Sequence, residues 1–155
     1  MYDLAMRSIC ASLLLVALLM LIGCAPTRTY DVTVRNDLNQ PITVWLTKNG
    51  PPPEANWLSP EQIAIGENPT DGRWAGSPVA PGKTAETGKI KGKFPNGTDA
   101  ILRVYVGHRT LDEILAVSAR DTALRVDKVL PPGPSNLIVR EEGGRLVAVP
   151  APGKL

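Results

Sequence analysis

The sequence predicts an all-β fold: an antiparallel β-sandwich of seven or eight short strands with one or two short helices, set behind a short apolar leader. Three observations carry this expectation. After residue 28, apolar and polar residues alternate with a period of two over several stretches, as half-buried strands require. Gly and Pro make up 28 of the 132 residues after Gly23, about 21% against roughly 12% in an average soluble protein, and turn signals recur at intervals near ten residues. Apolar residues instead crowd the start, with 18 of the first 23 positions and all three Met.

Taken in order, Pro26–Arg28 reads as a tether. Tyr30, Val32 and Val34 then share one face of a first strand, opposite Thr29, Asp31, Thr33 and Arg35. The turn cluster Asn36–Pro41 leads to a return strand in which Ile42, Val44 and Leu46 alternate with Thr43, Trp45 and Thr47. Alternation stops over 49–82, a stretch with seven prolines. Within it Ser59-Pro60-Glu61-Gln62 has the capping-box pattern with Pro at the first helical position, which predicts one short helix near 60–65. Strand patterning resumes over 83–94, where Ile90 and Phe94 oppose Lys89, Lys91 and Lys93, and continues over 100–106 after the turn at Pro95-Asn96-Gly97.

Residues 108–119 fit two readings. Thr110-Leu111-Asp112-Glu113 is a second capping box, yet Ile114–Ala119 is compatible with a strand. Residues 122–130 read as β, Pro131–Pro134 as a turn, and 136–140 with 145–149 as a hairpin whose loop is Glu141-Glu142-Gly143-Gly144. This strand count and spacing match the immunoglobulin-like architecture, although the Cys-Trp-Cys hallmark of true immunoglobulin domains is absent. The expected layout is a leader at 1–23, a tether at 24–28, one sandwich domain at 29–150 and a tail at 151–155.

The leader has a polar start ending in Arg7, an apolar run from Ser8 to Ile22, and small residues at Gly23-Cys24-Ala25. These are the three parts of a secretory signal, and the run is shorter than the roughly 20 residues a spanning helix needs. Asp3 weakens the positive start, and initiation at Met6 instead of Met1 gives a cleaner Met-Arg-Ser opening. Leu21-Ile22-Gly23-Cys24 resembles the lipobox of bacterial lipoproteins. That resemblance implies cleavage between Gly23 and Cys24, a diacylglycerol thioether on the Cys24 sulfur, and a lipid anchor on the extracytoplasmic side of the cell envelope. Ala25 after the cysteine resembles the pattern of lipoproteins sent to an outer membrane. Two or more acyl chains anchor a protein stably where one does not. Cys10 leaves with the leader, so the mature domain keeps no free thiol and no disulfide.

A net charge of +2, from 17 basic and 15 acidic residues, gives no field that would steer nucleic acid. Pro81-Gly82-Lys83-Thr84 is mis-spaced for a nucleotide-binding phosphate loop, with five residues instead of four after Gly76, and two of the five are prolines without amide donors. His108 is the only histidine; pairing it with Ser118 and with Asp112 or Asp121 gives the alternative of a small envelope hydrolase, without any nucleophile-elbow pattern. One histidine and no thiol cannot fill a zinc shell, and Asp37, Asn39 and Asp71 lack calcium-loop spacing. Glu141-Glu142 and Asp112-Glu113 read as solvated surface. The lysine stripe at 89, 91 and 93 fits either a protected edge strand or contact with anionic headgroups or an acidic wall polymer.

Trp57 and Trp74 mark the long proline-rich loop as a candidate binding loop if exposed, or as a plug for one end of the core if folded inward. The expectation is therefore a non-catalytic binding or structural module without a cofactor. Its partners are membrane lipid through Cys24 and an envelope protein or wall polymer. A purely structural subunit of an envelope assembly is the other alternative.

Overall fold

A computed structural model describes residues 25–66 and 75–152; the expected leader, the expected cleavage site between Gly23 and Cys24, and the candidates Asp71 and Trp74 lie outside them. Among the described residues eight strands form two facing sheets of four. They are β1 (Thr27–Asn36), β2 (Ile42–Lys48), β3 (Ala75–Val79), β4 (Thr84–Lys93), β5 (Ala100–Val106), β6 (Arg125–Leu130), β7 (Gly133–Glu142) and β8 (Arg145–Pro150). One sheet has the order β4-β1-β7-β8 and the other β3-β2-β5-β6. The two helices are α1 (Pro60–Ala64) and α2 (Leu111–Ala116), with a 3-10 turn at Ala55–Trp57. The sandwich is thus the expected one, with eight strands.

Alternation places its core. Tyr30, Val32 and Val34 of β1 meet Ile42, Val44 and Leu46 of β2, Leu102, Val104 and Val106 of β5, and Leu137 and Val139 of β7, all buried between the sheets. The β1 face read from the sequence is therefore the inward one. β2 departs from simple alternation because it is buried along its whole length. Its outward residue Trp45 packs with Tyr105 and Ile114 in a second, smaller core, against Ile63, Leu111 and Val117. The two helices supply that cover, which explains why Trp45 sits on a face that alternation alone assigns to solvent.

Four local expectations are corrected. The pairing is not wholly antiparallel, since β1 and β7 run parallel from Tyr30↔Gly133 to Asn36↔Val139. β6 ends at Leu130, and Pro131-Pro132 carries the chain across to the other sheet beside the early part of β1, so β7 starts in the same direction as β1. Second, the expected turn at Pro131–Pro134 is shorter than read, because β7 already includes Gly133 and Pro134. Third, the proline-rich stretch contains β3, where Pro78 pairs with Thr43. An edge strand accommodates a proline because its missing donor need not reach a neighbour. Fourth, β6 begins at Arg125, after turns bonded Asp121 to Ser118 and Leu124 to Asp121.

Within residues 108–119 the helical reading holds over Leu111–Ala116, with Thr110 and Val117 as its caps. Thr110 Oγ1 accepts the Glu113 amide, and the Glu113 carboxylate accepts the Thr110 amide. Ser59 and Gln62 close α1 in the same reciprocal way. At the hairpin, Gly143 and Gly144 both have positive φ, 59° and 75°, which a two-residue turn between right-twisted strands demands. Glu142 therefore lies in β7 beside Arg140, at 2.8 Å from its Nε, and the tip belongs to the glycines.

Candidate functional site

The end of the sandwich where β1 begins gathers most of the distinctive chemistry. Thr27 pairs with Lys93, Thr29 with Lys91 and Asp31 with Lys89, so β4 runs antiparallel beside the start of β1. The Phe94 amide donates to the Pro26 carbonyl at 2.9 Å, extending that pairing to within two residues of Cys24. Farther along, the register slips between Asp31 and Thr33, and Gly88 takes a positive φ of 62°. The Thr87 hydroxyl accepts the Val32 amide at 2.8 Å, so the bulge leaves no buried donor unpaired there.

The first part of the proline-rich loop folds over the free edge of β4. Trp57 Nε1 donates to the Lys91 carbonyl at 3.0 Å. Glu54 Oε1 accepts the Lys93 amide at 2.8 Å and Lys48 Nζ at 2.8 Å, and Lys48 Nζ also donates to the Lys93 carbonyl at 3.0 Å. Only 2% of the Lys48 side chain is exposed, and its ammonium sits 5.5 Å from the Phe94 ring centre. Thr47 Oγ1 donates to the Trp57 carbonyl at 2.9 Å, and Trp45 Nε1 to the Leu58 carbonyl at 2.8 Å. Beneath this clasp, Tyr30, Trp57 and Phe94 form a triad of tilted and edge-on rings with centroids 4.9–5.2 Å apart. Gly92 lies against it so closely that a Cβ there would stand 2.5 Å from Trp57 Nε1.

Trp57 is accordingly 1% exposed and belongs to the core, which corrects its reading as a surface stacking residue. Its inward alternative, a plug for one end of the sandwich, describes its position. Burial also pushes the Tyr30 phenol up, with Arg28 acting the other way.

A cleft of about 380 Å³ lies under the loop, lined by Lys48, Gly50, Pro51, Pro53, Ser59, Gln62 and Arg103. Its polar groups serve local structure. Lys48 is held by Glu54, Ser59 and Gln62 close α1, and Arg103 Nη1 reaches both Glu61 oxygens at 2.8 and 2.9 Å. Burial raises the Glu61 carboxyl, but hydrogen bonds from Ser59, its own backbone and Arg103 together hold it below its ordinary range. Beside it Arg125 grips Asp127 at 2.6 and 2.7 Å and lies 5.4 Å from the Tyr105 ring, whose phenol is pushed up by burial.

The other sequence-derived candidates are not brought together. His108 is exposed in the turn after β5. Ser118 Oγ accepts the Arg120 amide and Asp121 Oδ1 the Ala123 amide, so neither is aligned with an imidazole. Asp112 lies exposed in the first turn of α2. Asp37 is clamped by Arg35 at 2.6 and 2.7 Å, which holds its carboxyl low, and no group of three metal-ligating side chains occurs among the described residues. Gly82-Lys83 is a turn bonded to Asn36 and Ala80. No described helix is long and apolar enough to cross a membrane.

Sequence reasoning missed the clasp itself. Glu54 and Lys48 stand six residues apart with no motif between them, and only the folding of the loop after β2 against the end of β4 brings both to Lys93.

No protein-family model matches the chain, and no curated protein matches it either. Among solved structures it is similar to the crystal structure of the type VI secretion (T6SS) lipoprotein TssJ1 from Pseudomonas aeruginosa. That likeness has 16% identity and a TM-score of 0.35, over 82% of this chain and 100% of that one. At such values it assigns neither family nor role.

Proposed function

We propose that this chain is a bacterial lipoprotein whose β-sandwich is a non-catalytic binding or structural module of the cell envelope. Acylated Cys24 anchors it on the extracytoplasmic side, and Ala25 favours an outer membrane where the cell has two. The observation that carries the reading is Leu21-Ile22-Gly23-Cys24 at the end of an apolar run too short to span a bilayer. The placement of β1 supports it: regular pairing starts at Thr27, three residues after the cysteine, so the tether is short and the domain stays near the membrane surface. The lack of any cysteine after Cys24 fits an exported domain held together by packing alone.

A non-catalytic role fits the side-chain geometry. Ser118, Asp121, Glu61 and Ser59 are each engaged in turns, caps or ion pairs, and His108 faces solvent. The partner is an envelope protein or a wall polymer. The test is processing and labelling in the producing cell. Wild type takes up labelled palmitate and loses a 23-residue leader, whereas Cys24→Ser stays full length and unlabelled. A wild-type chain without label, or equal labelling of both, overturns the anchor. Capture from detergent-solubilised envelope with the intact lipoprotein, scored for protein and polymer together, then identifies the partner class.

A further inference from the structure

We propose that Lys89, Lys91 and Lys93 form a membrane-facing patch that binds anionic lipid headgroups and sets the sandwich's orientation on the bilayer. The inference rests on the lipid anchor at Cys24 and adds a surface to it. Three residues of extended chain span at most about 10 Å, so Thr27 is held within that distance of the anchor residue. Lys93 is directly across from Thr27, Lys91 from Thr29 and Lys89 from Asp31. Alternate residues of a strand share a face and repeat every 6–7 Å or so, so the three ammonium groups form a stripe of roughly 13 Å beginning at the anchor. All three side chains are exposed, while Ile90 and Gly92 turn inward.

The bland explanation for edge lysines is protection against strand addition. Here the free edge at Lys91 and Lys93 is already closed by Trp57 Nε1, Glu54 Oε1 and Lys48 Nζ. The lysines are therefore not needed to block it. They are also not consumed by neighbours, since among the described residues none of the three takes part in an ion pair. Opposite charges nearby are few: Glu54 is occupied by Lys48, and Asp31 is the one carboxylate in the facing β1 register. The chain as a whole carries only +2, so three unpaired cations beside the tether are a local asymmetry and not the general character of the surface. Phosphatidylglycerol-type headgroups, at the depth the anchor imposes, are the complementary charge.

The test uses the acylated mature protein, beginning at Cys24, reconstituted by its own anchor into vesicles of phosphatidylcholine alone, or with about a third phosphatidylglycerol. Lysines are acylated with a membrane-impermeant amine reagent and quantified by peptide mass spectrometry. Lys83, exposed at the far end of β4 roughly 30 Å from Lys93, is the internal reference. The expected result is that modification of Lys91 and Lys93 relative to Lys83 falls about fivefold on the anionic vesicles, and that high salt restores it. Equal ratios on both vesicles overturn the patch and leave the anchor standing. Protection by an added acidic wall polymer, with none on anionic vesicles, likewise overturns the lipid assignment. A protein that floats with neither vesicle overturns the anchor and the patch together.

Discussion

Gly92→Ala is the sharpest probe of the clasp at the end where β1 begins. The added methyl would stand 2.5 Å from Trp57 Nε1, 2.8 Å from Phe94 Cε2 and 3.0 Å from Trp57 Cε2, all well inside contact distance. The rings cannot swing aside freely, because Trp57, Phe94 and Tyr30 pack on one another at 4.9–5.2 Å and Trp57 Nε1 is tied to the Lys91 carbonyl. Overpacking of this kind costs about 1–3 kcal/mol. Displacing the indole also sacrifices a part-buried hydrogen bond, about another 1 kcal/mol. The alanine stiffens the unfolded chain and returns about 0.5 kcal/mol. The net loss is about 1.5–3.5 kcal/mol, or a fall of about 5–13 °C in Tm for a domain of this size. Thermal unfolding of the chain from Ala25 onward, followed by circular dichroism, measures it. Gly97→Ala is the control: it has open space around its Cβ and only a positive φ of 80° to strain, so its loss should be about 1 kcal/mol. If both variants melt together, the close approach at Gly92 is not what holds this end.

Three further outcomes follow from the same geometry. Asn36 is fully buried and its side chain bonds the Gln40 and Val79 carbonyls and the Leu38 amide, so Asn36→Ala should cost about 2–3 kcal/mol in denaturant unfolding; a change under about 0.5 kcal/mol contradicts its role as the hub of that turn. A chain with Trp45 and Trp74 both replaced by Phe reports on Trp57 alone, and its emission should be blue-shifted and resist quenching by acrylamide; ready quenching places that indole at the surface. The Glu61 carboxyl lies below its ordinary 4.5 in the folded state, so it stabilises the fold above that value and loses the contribution as pH falls through the folded pKa. Glu61→Gln should therefore lose less Tm than wild type between about pH 6 and about pH 3; an unchanged slope denies the coupling.

Most of the fold was readable because its cues are local. Tyr30, Val32 and Val34 reveal their face by alternation, Ser59/Gln62 and Thr110/Glu113 mark helix starts through reciprocal bonds three residues apart, and Gly143-Gly144 allows only a tight turn. What escaped depends on partners distant in sequence. β3 was hidden because Pro78 argues against a strand unless the strand is known to lie at an edge, which only its pairing with β2 reveals. The parallel β1–β7 pair joins segments about a hundred residues apart. Trp57 sits among prolines that suggest an open loop, yet Gly92 leaves the space its indole fills. The proposed site was legible only as isolated parts, Cys24 and the lysine stripe; that the stripe lies opposite the start of β1 comes from the register of β1 against β4.

The lipid anchor is tested by the mass of the N-terminal peptide of the protein extracted from membranes. The expected peptide begins at Cys24 and carries a diacylglyceryl thioether. An unmodified peptide beginning at Met1 or Met6, or a cut elsewhere that leaves the Cys24 thiol free, contradicts it.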